Sequence, residues 1–173
     1  MNWFANRLAI DLGTTRTLLY TEDRGVVINE PTMVAVQHRN GDDGQLLAVG
    51  SEAKRMLGRT PPTIAVIRPL RDGAIADLEA ACAMFKYFIR SARGRRRFAR
   101  LEVVIAVPAG ITPIEVRAVQ EAAESAGARK VTLVDASVAA ALGAGLPVAD
   151  PTCSMVVDIG GGTTEVSVIS LAG

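Results

Sequence analysis

Residues 156–170 read VVDIGGGTTEVSVIS. An apolar run delivers Asp158 into the turn Gly160, Gly161, Gly162, Thr163, and a second β-type run leaves it. Glycines let backbone N–H groups converge on an anion with no Cβ in the way, and threonine hydroxyls add donors. An aspartate at a strand end can orient the water shell of a Mg²⁺ ion held on phosphates. The stretch at 8–21, LAIDLGTTRTLLYT, repeats the order: apolar run, Asp11, one apolar residue, then Gly13, Thr14, Thr15 and Arg16 before another β-type run. A single Asp-x-Gly hairpin is common, but two, each with its aspartate directly after an apolar strand, predict opposed hairpins that grip a polyphosphate from both sides. Neither matches the Gly-x₄-Gly-Lys-Ser/Thr loop, and no Rossmann glycine pattern opens a helix.

The 173 residues are 49% apolar and 21% charged, enough for one domain or two small ones with a real core. A net charge of +1 argues against nucleic acid as the main partner. Cys82 and Cys153 read as free buried thiols of a reducing compartment. No apolar stretch reaches the ~18–20 residues that cross a bilayer, and MNWFANR is too short and polar for a signal peptide, so a cytoplasmic location is expected. His38 has no evident catalytic or metal-binding partner.

Around the hairpins, strands come first, then helix–strand–helix–strand–helix, then strands again. SEAKRMLGR reads as a short helix capped by Ser51 and ended at Gly58, and 60–73 as an extended, proline-rich connection. Leu78, Ala81, Cys82, Phe85, Phe88 and Ile89 form one helical stripe. The run 101–107 stops at Pro108 and reads as a strand buried on both faces. Thr112, Pro113, Glu115 and Gly127 mark the start and end of the next helix. Parallel strands at 101–107 and 131–134 joined by that helix make a βαβ unit. The class is therefore α/β, a mixed sheet of a strand meander plus βαβ with flanking helices.

DLGTT at 11–15 with DIGGGTT at 158–164 resembles the actin-like ATPase superfamily. INEPTMVAV at 28–36, GSEAKRMLGRTP at 50–61, VVIAVPAGIT at 103–112 and AESAGARKV at 123–131 resemble its bacterial MreB branch, and the likeness runs from about Leu8 to Gly173. The resemblance implies an actin-like (ribonuclease H-like) fold of two lobes with ATP and Mg²⁺ in the cleft between them. It also implies filaments beneath the inner membrane that guide cell-wall synthesis, with copies of itself or full-length MreB and cell-wall elongation proteins as partners. Carried over by position, Asp11, Gly13, Thr14 and Thr15 form the first phosphate loop. Asp158, Gly160, Gly161, Gly162 and Thr163 form the second, and both aspartates face the metal through water. Residues 1–150 are then the first lobe, with a small subdomain at about 32–75, and 151–173 the opening hairpin of a second, truncated lobe.

The sequence departs from the branch in two places at the site. Val134-Asp135-Ala136-Ser137 stands where the family carries Glu-Glu-Pro, and Ala136 falls where the glutamate that positions the attacking water belongs. Asp135 is a weak catalytic candidate, one residue out of place, so hydrolysis is expected to be slow or absent. Arg16 replaces an asparagine and reads either as a solvated side chain or as a cation beside the terminal phosphate. Two further readings stand beside a filament former: a short, non-polymerising modulator of MreB filaments, and an ATP-dependent phosphotransferase of the same superfamily. Residues 90–100, RSARGRRRFAR, carry Arg95, Arg96, Arg97 and Phe98 without an acid, and Trp3 and Phe4 lie at the N-terminus. They read either as a solvated basic loop or as weak, reversible contacts with anionic lipid. Nucleic acid fits them less well, because aromatic platforms are lacking.

Overall fold

The computed structural model describes residues 5–37, 44–93 and 100–171. In chain order the elements are β1 (Ala5–Leu12), β2 (Arg16–Thr21), β3 (Gly25–Pro31), β4 (Val34–Gln37), β5 (Gln45–Val49), α1 (Ser51–Met56), β6 (Ile64–Ile67), β7 (Leu70–Arg71) and β8 (Ala74–Ile75). There follow α2 (Leu78–Arg93), β9 (Arg100–Val107), α3 (Pro113–Ser125), β10 (Lys130–Asp135), α4 (Ala136–Gly143), β11 (Ser154–Ile159) and β12 (Thr164–Ile169).

The main sheet has the order β10-β9-β1-β2-β3. β1, β9 and β10 run parallel, and β2 and β3 fold back antiparallel. This is the expected α/β lobe. The apolar stripe of α2 supplies Met84, Phe85, Phe88 and Ile89 to a core shared with Leu8, Ile10, Leu101, Val103 and Ile105, and α3 adds Val119, Ala122 and Ala123. α3 starts as the sequence predicts: Thr112 and Glu115 form a reciprocal capping box, with Pro113 at the first position. A smaller sheet, β5-β4-β6, packs with α1 around Met33, Ala35, Ala48 and Ala53.

Four local readings change. Ser51 is the first helical residue rather than the cap; the cap position is Gly50, with φ 67°, and no side chain of its own. The carboxylate of Glu30 does the capping from β3, accepting from the Ser51 backbone N–H at 2.8 Å and from its hydroxyl. The proline-rich stretch 60–73 is not merely a connection, since it contains β6 and the first half of the β7–β8 hairpin. β9 is buried on one face only. Leu101, Val103, Ile105 and Val107 are buried, whereas Val104 is 39% exposed, because α2 and α3 share the core on the first of these faces. Cys82 and Cys153 are both free, but neither is fully buried: Cys82 is half-buried and Cys153 exposed.

Candidate functional site

Three parallel strands end at one edge of the main sheet. Asp11 pairs in register with Ala106, and Asp135 with Val107. The two predicted hairpins have the same turn. In the first, Leu12 pairs with Thr17 and the Gly13 N–H donates to the Arg16 carbonyl at 3.1 Å. In the second, Ile159 pairs with Thr164 and the Gly160 N–H donates to the Thr163 carbonyl at 2.8 Å. The internal repeat is thus one of backbone geometry as well as of residue type.

The turns face each other at close range. A Cβ on Gly161 would fall 1.7 Å from Thr15 Oγ1, and one on Gly162 would fall 2.7 Å from Thr14 Cγ2. Only glycine permits this approach, which aligns the triple glycine with the Thr14–Thr15 pair. The first turn is anchored from beneath. Thr32 donates its hydroxyl to the Gly13 carbonyl at 2.7 Å and sits 2.9 Å from the hydroxyl of buried Thr17.

Sequence reasoning missed a third wall. β7 and β8 are joined by Asp72 and Gly73, both at positive φ (52° and 80°), as a two-residue hairpin turn requires. The Gly73 N–H donates to Thr14 Oγ1 at 3.0 Å. A Cβ on Gly73 would meet Pro108 Cγ at 2.9 Å and Thr163 Cγ2 at 3.2 Å. The local signal was Arg71-Asp72-Gly73, an Asp-Gly pair between short apolar runs.

The electrostatics suit a cation. Burial, and secondly the charge of Asp158, push the Asp11 carboxyl above its usual range. The two aspartates therefore oppose each other. Arg16 does not compensate them: its Nε donates to Asn29 Oδ1 at 2.8 Å and its Nη2 to the Asn29 carbonyl at 3.1 Å, along β2 and β3. Among the described residues no group of three or more His, Cys, Asp or Glu could hold a metal. Two carboxylates with phosphate oxygens and water fit Mg²⁺, which keeps much of its hydration, better than a metal caged by protein alone.

Asp135 is occupied elsewhere. Its Oδ1 caps α4, accepting from the N–H groups of Ser137 at 2.8 Å and Val138 at 3.1 Å. Glu165, which the sequence reading passed over, accepts from the Ala109 N–H at 3.1 Å and from the Ser137 hydroxyl at 3.4 Å. Trp3, Phe4, Arg95, Arg96, Arg97 and Phe98 lie outside the described residues, as does His38.

Two outcomes follow from the geometry. Gly161→Ala forces the turns apart, destabilising the protein by about 1–3 kcal/mol in denaturant unfolding, and adding Thr15→Gly recovers most of the loss. Asp11→Asn raises the melting temperature of nucleotide-free protein by a few degrees at neutral pH. A carboxyl whose folded pKa is raised contributes stability fully below the unfolded value near 3.8, and that stability is lost as pH rises through the folded value. The advantage of the asparagine variant in thermal scans therefore grows with pH across that window.

The MreB/Mbl protein family model matches residues 5–173. The chain is 53% identical over 173 residues to the cell shape-determining protein MreB of Escherichia coli, covering 98% of this chain and 50% of that protein. It is 46% identical over 168 residues to the cell shape-determining protein Mbl of Bacillus subtilis, covering 97% and 50%. Among solved structures, MreB5 of Spiroplasma citri bound to ADP superposes with a TM-score of 0.86 at 36% identity, over 98% of this chain and 50% of that one. A MamK double helical filament gives a TM-score of 0.77 at 23% identity, over 97% and 51%, a likeness of fold alone. The chain spans about half the length of the curated relatives it matches. With the family model matched along almost its whole length, the chain belongs to the MreB/Mbl family.

Proposed function

We propose that the chain takes Mg²⁺-ATP between its two hairpins and acts as the nucleotide-binding lobe of an actin-like, filament-forming cytoskeletal protein that determines cell shape. The observation that carries the reading is the opposed pair of turns with the same backbone bond, with Gly161 and Gly162 against Thr15 and Thr14 and with Asp11 and Asp158 each two residues before its turn. Family membership supports it, as do the ADP-bound and AMPPNP-bound structures of Spiroplasma citri MreB5. Thr14, Thr15, Thr163 and the glycine N–H groups receive the phosphates in this reading. Asp11 and Asp158 orient the water on Mg²⁺, which neutralises the phosphate charge. Ala136 offers no carboxylate to the attacking water, and Asp135 is held as a helix cap. Turnover is therefore slow even where nucleotide binds.

Calorimetry with Mg²⁺-ATP tests this reading. Wild-type protein binds, and Asp158→Ala abolishes binding while leaving the far-ultraviolet spectrum unchanged. Ala136→Glu raises hydrolysis about a hundredfold, the low end of what a positioned general base contributes. No heat at millimolar nucleotide would sink the proposal.

The reading extends to a peripheral cytoplasmic location at the inner face of the membrane, through Trp3, Phe4, Arg95, Arg96, Arg97 and Phe98, with cell-wall elongation proteins as partners. Basic residues near anionic lipid contribute about 1 kcal/mol each, and aromatic side chains favour the interface. In vesicle flotation the protein rises with anionic but not with zwitterionic lipid. Absence from the floated fraction at low salt removes the membrane contact.

A further inference from the structure

Asp158 and Glu165 are directly opposite each other across the β11–β12 hairpin. Like charges so placed destabilise a strand pair unless each finds a partner outside it. Asp158 lies close enough for its charge to act on Asp11, and Mg²⁺ would offset both. Glu165 has partners already in place. One carboxylate oxygen accepts from the Ala109 N–H at 3.1 Å, just past the end of β9, and the other from the Ser137 hydroxyl at 3.4 Å, in the first turn of α4. Ser137 is 2% exposed and fully committed, since its hydroxyl also accepts from the Ser167 hydroxyl at 2.8 Å and its N–H donates to Asp135. Hydroxyls and carboxylates therefore run in one connected path from β12 to the ends of two parallel strands. The triple-glycine turn on the same hairpin meets the loop after the third, β1.

We infer that Glu165 is a positioning residue, a clasp that sets the spacing of the second hairpin from the first and so the width of the phosphate cradle. The inference rests on the nucleotide reading proposed above. Its basis is where Glu165 reaches. Both partners belong to the segments that follow the parallel strands, and Pro108, the neighbour of Ala109, lies against Gly73, whose N–H holds Thr14. A shift at Glu165 is thereby transmitted to the threonine that faces Gly162. Ala136 adjoins Ser137 without a carboxylate of its own, and Glu165 brings one to Ser137 from the opposite hairpin.

The test uses the whole chain in two measurements. In nucleotide-free protein, amide hydrogen exchange at Ala109 accelerates in Glu165→Ala, and Glu165→Gln, which keeps an acceptor of the same length, retains most of the protection. In calorimetry, Glu165→Ala weakens Mg²⁺-ATP binding about tenfold, Glu165→Gln stays within about threefold, and Ser137→Ala added to Glu165→Ala costs nothing further. A merely structural bond would lower the unfolding midpoint and leave the nucleotide affinity unchanged. That result overturns the positioning role and spares the nucleotide reading. Wild-type protein that takes up no Mg²⁺-ATP overturns both, whatever Ala109 exchange shows. Unaltered exchange at Ala109 in Glu165→Ala overturns the clasp itself.

Discussion

The parallel register of β1, β9 and β10 is the constraint on which the rest of the site depends. It brings Asp11, the Pro108–Ala109 segment and Asp135 to one edge, and ligands of parallel sheets bind outside the carboxyl ends of the strands. The register is held by burial. Leu8 and Ile10 of β1 share a core with Leu101, Val103 and Ile105 of β9, under the apolar stripe of α2. A slip of one residue in β1 would turn Ile10 out of the core and Asp11 into it. The same slip would misplace the Gly13 turn, because Thr32 grips its carbonyl from beneath.

The site built on that edge is acidic where its ligand would be anionic. Asp11, Asp158 and Glu165 converge from two hairpins, and the nearby arginine of the first turn is bound to Asn29. Bare polyphosphate would be repelled by these carboxylates. A divalent cation whose water shell both aspartates orient would reverse the balance, since its charge would offset the aspartates and the phosphates together. Metal and nucleotide would then enter together. Glu165 stays outside that exchange, because its oxygens are satisfied by neutral donors on the other strand ends.

What the sequence made legible was local. Each turn starts two residues after an aspartate, as Gly13, Thr14, Thr15 and Arg16 in one hairpin and Gly160, Gly161, Gly162 and Thr163 in the other, and α3 announces itself through Thr112, Pro113 and Glu115. What it hid was contact between distant segments. Ser51 looked like a cap because its type suits one, but the capping carboxylate comes from Glu30, 21 positions away. Asp135 was a weak catalytic candidate when aligned with a family motif, although an aspartate just before a small-residue helix is equally a capping signal, and the backbone uses it so. β6 is a strand because β4 pairs with it, which overrides the discouragement of the prolines before it. Glu165 was invisible for the same reason as Glu30. Its partners lie 28 and 56 positions away, and nothing next to it in the chain points to them.

The hairpin that carries Glu165 also explains why polar ties matter there. Along β11 and β12, Val156 and Ile169 turn inward, and Ile169 joins Ala141 and Val148 in a small cluster. The opposite face, with Met155, Val157, Ile159, Val166 and Val168, is exposed. Apolar residues on both faces are the pattern of a strand meant for burial on two sides, yet here only one is packed. A two-stranded hairpin gains little orientation from one such contact, because apolar packing is non-directional and tolerates rotation. Hydrogen bonds do not tolerate it. The bonds of Glu165 and Ser167 to Ala109 and Ser137 therefore fix the angle at which Gly161 meets Thr15, while the small apolar cluster only holds the hairpin close.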